Sequence, residues 1–155
     1  MAHLNRSAQK NMWRDRIKSM TAKAEFAAPA NAGAVALAEE ALGVRLPAEL
    51  AAVLKESDGV SGEYGLGLLW PIERIKEDNQ RFRSLPDFKD LYMPFDSLLF
   101  FGDAGNGDQF AFTVLQGEVR RGDIFVWDHE TDSRTWVAPS LGTFYDWWLT
   151  GKLKI

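Results

Sequence analysis

Residues 98–138 read LLFFGDAGNGDQFAFTVLQGEVRRGDIFVWDHETDSRTWVA, and the fold class is decided there. Four short runs, Leu98 to Phe101, Gln109 to Leu115, Asp123 to Trp127 and Arg134 to Val137, are apolar or alternating and are parted by Gly, Asp and Asn. That is the pattern of strands joined by turns. Strands so close in sequence leave no room for crossover helices, so they pair antiparallel.

Upstream the period changes. Ala2 to Glu25 predicts an amphipathic helix, with Leu4, Trp13, Ile17, Met20 and Ala24 at helical intervals and Arg and Lys between them. An Ala/Pro-rich stretch, Phe26 to Ala32, breaks it. Asn31 then caps a second helix through Val35, Ala38, Ala41 and Leu42, which Gly43 stops. Leu46-Pro47 opens a third, striped by Leu50, Val53 and Leu54 and ended by Asp58-Gly59. A glycine-rich passage, 59–67, leads into the apolar run Leu66 to Trp70. Pro71 starts a helix carrying Ile72, Ile75, Asn79 and Phe82 on one side. Residues 84–97, with Pro86 and Pro94, read as an irregular connection, and Ser140 caps a last helix from Leu141 to Leu149. Helices, clustered strands, then a helix give an α+β domain, a mostly antiparallel sheet packed with helices. Residues 1–28 form a helical extension and 29–155 one domain.

Composition narrows the chemistry. A chain of 155 residues can bury a core without staples. The absence of Cys removes disulfide scaffolds, zinc ribbons, iron–sulfur clusters and cysteine nucleophiles. Two histidines, His3 and His129, exclude multi-histidine metal centres. The net charge of −4 argues against a general nucleic-acid binder. No stretch approaches the ~20 apolar residues that a membrane helix needs, and no signal-peptide core stands at the N-terminus, so cytoplasm is the expected compartment. The charge is uneven. Residues 1–28 hold six basic groups against two acidic, whereas 96–132 hold eight acidic groups against Arg120 and Arg121. A basic leading helix touching the acidic loops would mask them.

Three constellations are candidates for chemistry. In Gly102 to Asp108 the side chains of Asp103, Asn106 and Asp108 could face a cation, but the calcium-loop spacing fails and Val114 stands where the loop's closing Glu belongs. A structural turn is the preferred reading. In Trp127 to Asp132, His129 lies among Asp128, Glu130 and Asp132 and could act as a base. Ser133 replaces the second histidine of a zincin motif, and no G-x-S-x-G elbow exists. A strand end turning into the next strand is again preferred. Among the tryptophans, neighbours Trp147 and Trp148 stand about 100° apart on a helix, so one faces the core and the other a rim.

Taken in order, these residues resemble the SUKH superfamily, the Smi/Knr type named after a fungal regulator of cell-wall synthesis. The resemblance rests on Leu42-Gly43-Val44-Arg45-Leu46-Pro47-Ala48-Glu49-Leu50, on Asp58-Gly59, and on Phe101-Gly102-Asp103 with Gly107-Asp108. It continues through Ile124 to Glu130 and Val137 to Leu141, with Phe144 following, and spans roughly residues 35–150. It implies an α+β fold, no enzymatic activity, no cofactor and no metal. Bacterial members are similar to immunity proteins that neutralise a cognate polymorphic or contact-delivered toxin, often a basic nuclease. An acidic face would complement such a partner. The expected contact residues are Asp103, Asn106, Asp108, Asp128, Glu130 and Asp132, with Trp70 and Trp148 as anchors. Two other readings stand beside this one: a regulatory or scaffold module without a toxin partner, and a small metal-dependent hydrolase using Asp103, Asp108 and His129.

Overall fold

The structure, a computed structural model, describes residues 11–155. Its centre is a four-stranded meander, β4 (Leu98–Asp103), β5 (Gln109–Thr113), β6 (Ile124–Trp127) and β7 (Arg134–Ala138), paired antiparallel in chain order. Helix α4 (Ile72–Ser84) covers one face, where its Phe82 meets Phe100 and Trp127 at ring-centroid distances of 4.8 and 5.6 Å. Helix α6 (Leu141–Leu149) covers the other, setting Phe144 against Phe101 and Phe110 at 5.7 and 4.5 Å. With both faces covered, β4 needs apolar side chains on both sides. Its run Leu98 to Phe101 is therefore unbroken rather than alternating, and all four residues are buried.

The remaining elements close the ends. Helices α2 (Ala32–Leu42) and α3 (Ala48–Glu56) follow the expected signals. Asn31 accepts hydrogen bonds from the Gly33 and Ala34 amides, and Gly43 ends α2 at φ 65°, a left-handed conformation that costs glycine little. A small antiparallel sheet, β1 (Glu25–Phe26), β2 (Val60–Ser61) and β3 (Gly67–Leu69), was not anticipated; strands of two or three residues are too short to display a period. It is joined to the main sheet by Trp70 N–H donating to the Phe101 carbonyl at 2.8 Å, and to α6 by Tyr145 Oη donating to the Leu68 carbonyl at 2.8 Å. The 84–97 connection is likewise more ordered than expected. It contains α5 (Pro86–Leu91), opened by Pro86 at the first helical turn, where its missing N–H does no harm.

The leading helix is shorter than the sequence suggests. It is described as α1 (Met12–Met20), and the chain is extended again by Thr21 on its way to pair as β1. The part of that expectation at residues 1–10, with Leu4, lies outside the described residues. Asn11 gives α1 no side-chain cap. The buried Glu56 carboxylate supplies one from α3, accepting from Trp13 N–H at 2.9 Å and Arg14 N–H at 3.0 Å. Trp13 and Ile17 are buried in the common core, each contributing roughly 2–3 kcal/mol. The positive face of α1 meets other partners than the acidic loops: Arg16 forms a two-bond pair with Asp146 of α6, at 3.0 and 2.7 Å.

One polar residue lies on the buried stripe of α4. Asn79, 1% exposed, donates to the Ile75 and Phe100 carbonyls at 2.7 and 2.9 Å and accepts from Phe100 N–H at 2.8 Å. Its amide thus pairs with Phe100 as a neighbouring strand would. Replacing it with Leu keeps the bulk and strands a buried N–H and C=O. Urea unfolding of Asn79→Leu should show a loss of about 3 kcal/mol with helix and strand content retained. A loss below about 1 kcal/mol would show that the amide does not tie α4 to the sheet.

Candidate functional site

In a meander, alternate turns fall at the same end. The β4–β5 turn (104–108) and the β6–β7 turn (128–133) are therefore neighbours, and they bring the two acidic stretches together. The β4–β5 turn is self-closing. Ala104 N–H donates to the Asp108 carbonyl at 3.0 Å, and Asp108 N–H donates to Asn106 Oδ1 at 3.0 Å. In the second turn Asp128 Oδ1 accepts from the Glu130 and Thr131 amides at 2.8 and 3.2 Å. That Asx turn is why an Asp stands at the strand end.

One contact locks the turns to each other. Asp108 Oδ1 accepts from His129 N–H at 3.1 Å and lies 2.7 Å from His129 Nδ1. The imidazole lies over Gly107, where a Cβ would stand 2.8 Å from a ring carbon and the backbone φ is +99°, so only glycine fits. The hydrogen bond to Asp108 raises the His129 pKa above its ordinary value, and the nearby Glu130 and Asp128 charges add to it. Burial pushes the Asp108 carboxyl up, but the bonds from the His129 ring and backbone and from Asn106 outweigh it and hold the carboxyl below the usual range.

The other expected contact residues divide. Asp103 is ion-paired with Arg74 at 2.9 and 3.0 Å, and the guanidinium stacks on the Trp70 ring 4.0 Å from its centroid. Asp132 is a correction: at φ 61° it turns inward. It accepts from the Trp127 indole N–H at 2.8 Å, from Met93 N–H at 2.8 Å and from Arg134 at 3.1 Å. Burial opposes its ionisation, and those three donors overcome it, lowering its pKa. Trp70 is a second correction, since it is fully buried under Arg74 and offers no surface to a partner. Trp148 is half-buried, packed on Phe110 at 5.1 Å and on Phe144 at 6.4 Å. Trp147 is likewise half-buried and faces Trp136 at 6.5 Å, so the two neighbours diverge but share the burial. Asn106 and Glu130 remain exposed and Asp128 half-exposed.

Asp108, Asp128 and His129 place one possible ligand atom each within 4.8 Å of one another. Two carboxylate oxygens and an imidazole nitrogen suit a divalent cation in kind. Of the three residues considered for a hydrolase, Asp108 Oδ1 and His129 Nδ1 are bonded to each other, and Asp103 is engaged by Arg74. Sequence reasoning also passed over a neighbouring feature, an aromatic cleft at Phe82, Phe88, Tyr92 and Phe95. The spacing of Phe88 and Tyr92 was its one local signal.

The turn lock carries a pH signature. A raised His129 pKa contributes stability below the unfolded imidazole value, lost as pH rises through the folded one; a lowered Asp108 pKa contributes above the unfolded carboxylate value, lost as pH falls through the folded one. The stability difference between wild type and His129→Ala should therefore peak between about pH 4 and pH 6.5 and shrink on either side. Urea titrations across pH 3–9 check this, and a flat difference would show the pair to be unlinked.

Comparison with curated proteins finds no match. The family model described as "SMI1 / KNR4 family (SUKH-1)" matches residues 29–147, from just before α2 to within α6, and takes in both acidic turns. The chain belongs to the SMI1/KNR4 family, SUKH-1.

Proposed function

We propose that this SUKH domain is a non-enzymatic binding protein that neutralises a cognate bacterial toxin of the polymorphic or contact-delivered kind. The observation that carries this reading is the pair of locked turns, which present Asp128 and Glu130 outward from one rigid end of the main sheet. The Glu130 carboxylate makes no hydrogen bond or ion pair among the described residues, so its charge is free for a partner. Domains of this superfamily often serve as immunity proteins. A rigid acidic end complements a basic protein such as a nuclease and repels nucleic acid itself.

Three other carboxylates of this end are committed to the fold. Asp103 holds Arg74, Asp108 holds His129, and Asp132 holds Trp127, Met93 and Arg134.

Co-expression with the toxin encoded beside its gene tests the reading. Growth should be rescued and a stoichiometric complex recovered; neither rescue nor complex would overturn it, and would favour a scaffold role instead. Within the complex, the variant Glu130→Lys should associate about threefold more slowly at low salt and with a flatter salt dependence, at an unchanged melting temperature. Stopped-flow association against ionic strength measures both. An unaltered rate and slope would place the interface elsewhere. Asp132→Lys is a poor probe of binding, because it removes three internal hydrogen bonds and destabilises the turn.

A further inference from the structure

Beside the acidic turn lies a cleft of about 360 Å³ between the last turn of α4, helix α5 and the 92–96 segment. Its walls are aromatic. Phe82 stacks on Phe88 at 5.2 Å, Phe88 meets Tyr92 edge-on at 5.8 Å, and Tyr92 meets Phe95 at 5.6 Å. Arg83, which also lines it, turns its guanidinium inward to the Leu42 and Leu98 carbonyls at 2.9 and 3.0 Å. Exposed apolar side chains stand on the same short stretch: Met93, in the cleft lining, is 58% exposed, and Leu91, close by in sequence, 70%. With Leu85, these make three of the nine large apolar side chains exposed among the described residues, gathered within 85–93. Such a concentration marks a contact surface more often than scattered exposure does.

The cleft is stapled to the acidic turn. Tyr92 Oη donates to the His129 carbonyl at 3.0 Å, Met93 N–H to Asp132 at 2.8 Å, and Arg134 to the Met93 and Pro94 carbonyls at 2.9 Å each. Cleft and turn therefore move as one body. Around them, segments 85–96 and 128–134 carry Asp87, Asp90, Asp96, Asp128, Glu130 and Asp132 against only Lys89 and Arg134, with Lys89 and Asp96 in the cleft wall itself. A hydrophobic slot bordered by surplus negative charge selects for one kind of occupant.

We infer that cleft and acidic turn form a single docking surface for a segment of a partner protein that inserts one bulky apolar side chain beside Phe88, Tyr92 and Met93 and sets Lys or Arg against Asp128 and Glu130. This rests on the binding role proposed above and adds the chemistry of the recognised segment. The apolar anchor sets the lifetime of the complex, and the charges set its rate of formation.

A library of random 12-residue peptides displayed on phage, selected on the full chain, tests this without the toxin. Enriched sequences should share an aromatic or aliphatic residue flanked by Lys or Arg. The synthetic peptides, followed by fluorescence anisotropy, should bind Met93→Glu and Leu91→Glu at least tenfold more weakly than wild type at every salt concentration. Glu130→Lys should weaken binding chiefly at low salt. Both apolar residues are exposed, so the variants should melt as wild type does. No enrichment, a consensus lacking either feature, or equal binding to Met93→Glu would overturn the inference. So would a wild-type dimer in sedimentation that Met93→Glu dissolves, because a second copy would then cover the cleft. Peptides that bind as expected while the neighbouring toxin escapes neutralisation would leave the surface standing and remove the toxin reading alone.

Discussion

The acidic end is built on a sheet whose first strand is tied to α4, and the most deeply buried of those ties is one amide. Asn79 meets the backbone of Phe100 on both its donor and its acceptor side, and with them its own Ile75 carbonyl. A helix laid on a sheet by apolar contacts alone can slide by a ridge, because dispersion has no direction. A buried amide bonded to one backbone unit cannot. With that register set, Arg74 one turn earlier reaches Asp103, and Phe82 one turn later closes on Phe100 and Trp127.

At the far end of the strands the same economy operates with charges. Desolvation works against ionising Asp108 and Asp132, but each has enough donors to remain a carboxylate. A charge buried with its donors orients the turns and leaves little field outside. The field that does reach solvent comes from residues the fold does not use, Glu130 above all. This division explains why eight acidic groups between 96 and 132 amount to a more focused surface than their number suggests.

The sheet was legible because it is buried on both faces, which writes unbroken apolar runs into β4 and β5. The caps at Asn31 and Ser140 and the stop at Gly43 were legible because each satisfies its helix end locally. What depended on side-chain direction was not. Asp132 looks like Glu130 in sequence, and only the left-handed backbone at 132 turns it towards Trp127. Trp70 carries no mark of burial, since the residues that cover it, Arg74 among them, lie on another element. Asn79 could be placed on the apolar stripe, but its partner stands 21 residues further along the chain. The aromatic cleft hid behind Pro86 and Pro94, which read as breakers although one of them starts a helix.

Helix α1 lies outside the residues that the family model matches, yet its first turn is closed by Glu56, inside them. The packed core is thus larger than the stretch that the family model matches. A fragment trimmed at residue 29 would keep every family motif and lose Trp13 and Ile17 from its core. It would also leave a carboxylate facing an empty groove, with Asp146 deprived of Arg16. Such a helix offers a way to tune the stability of the scaffold through α3 and α6 without altering either acidic turn.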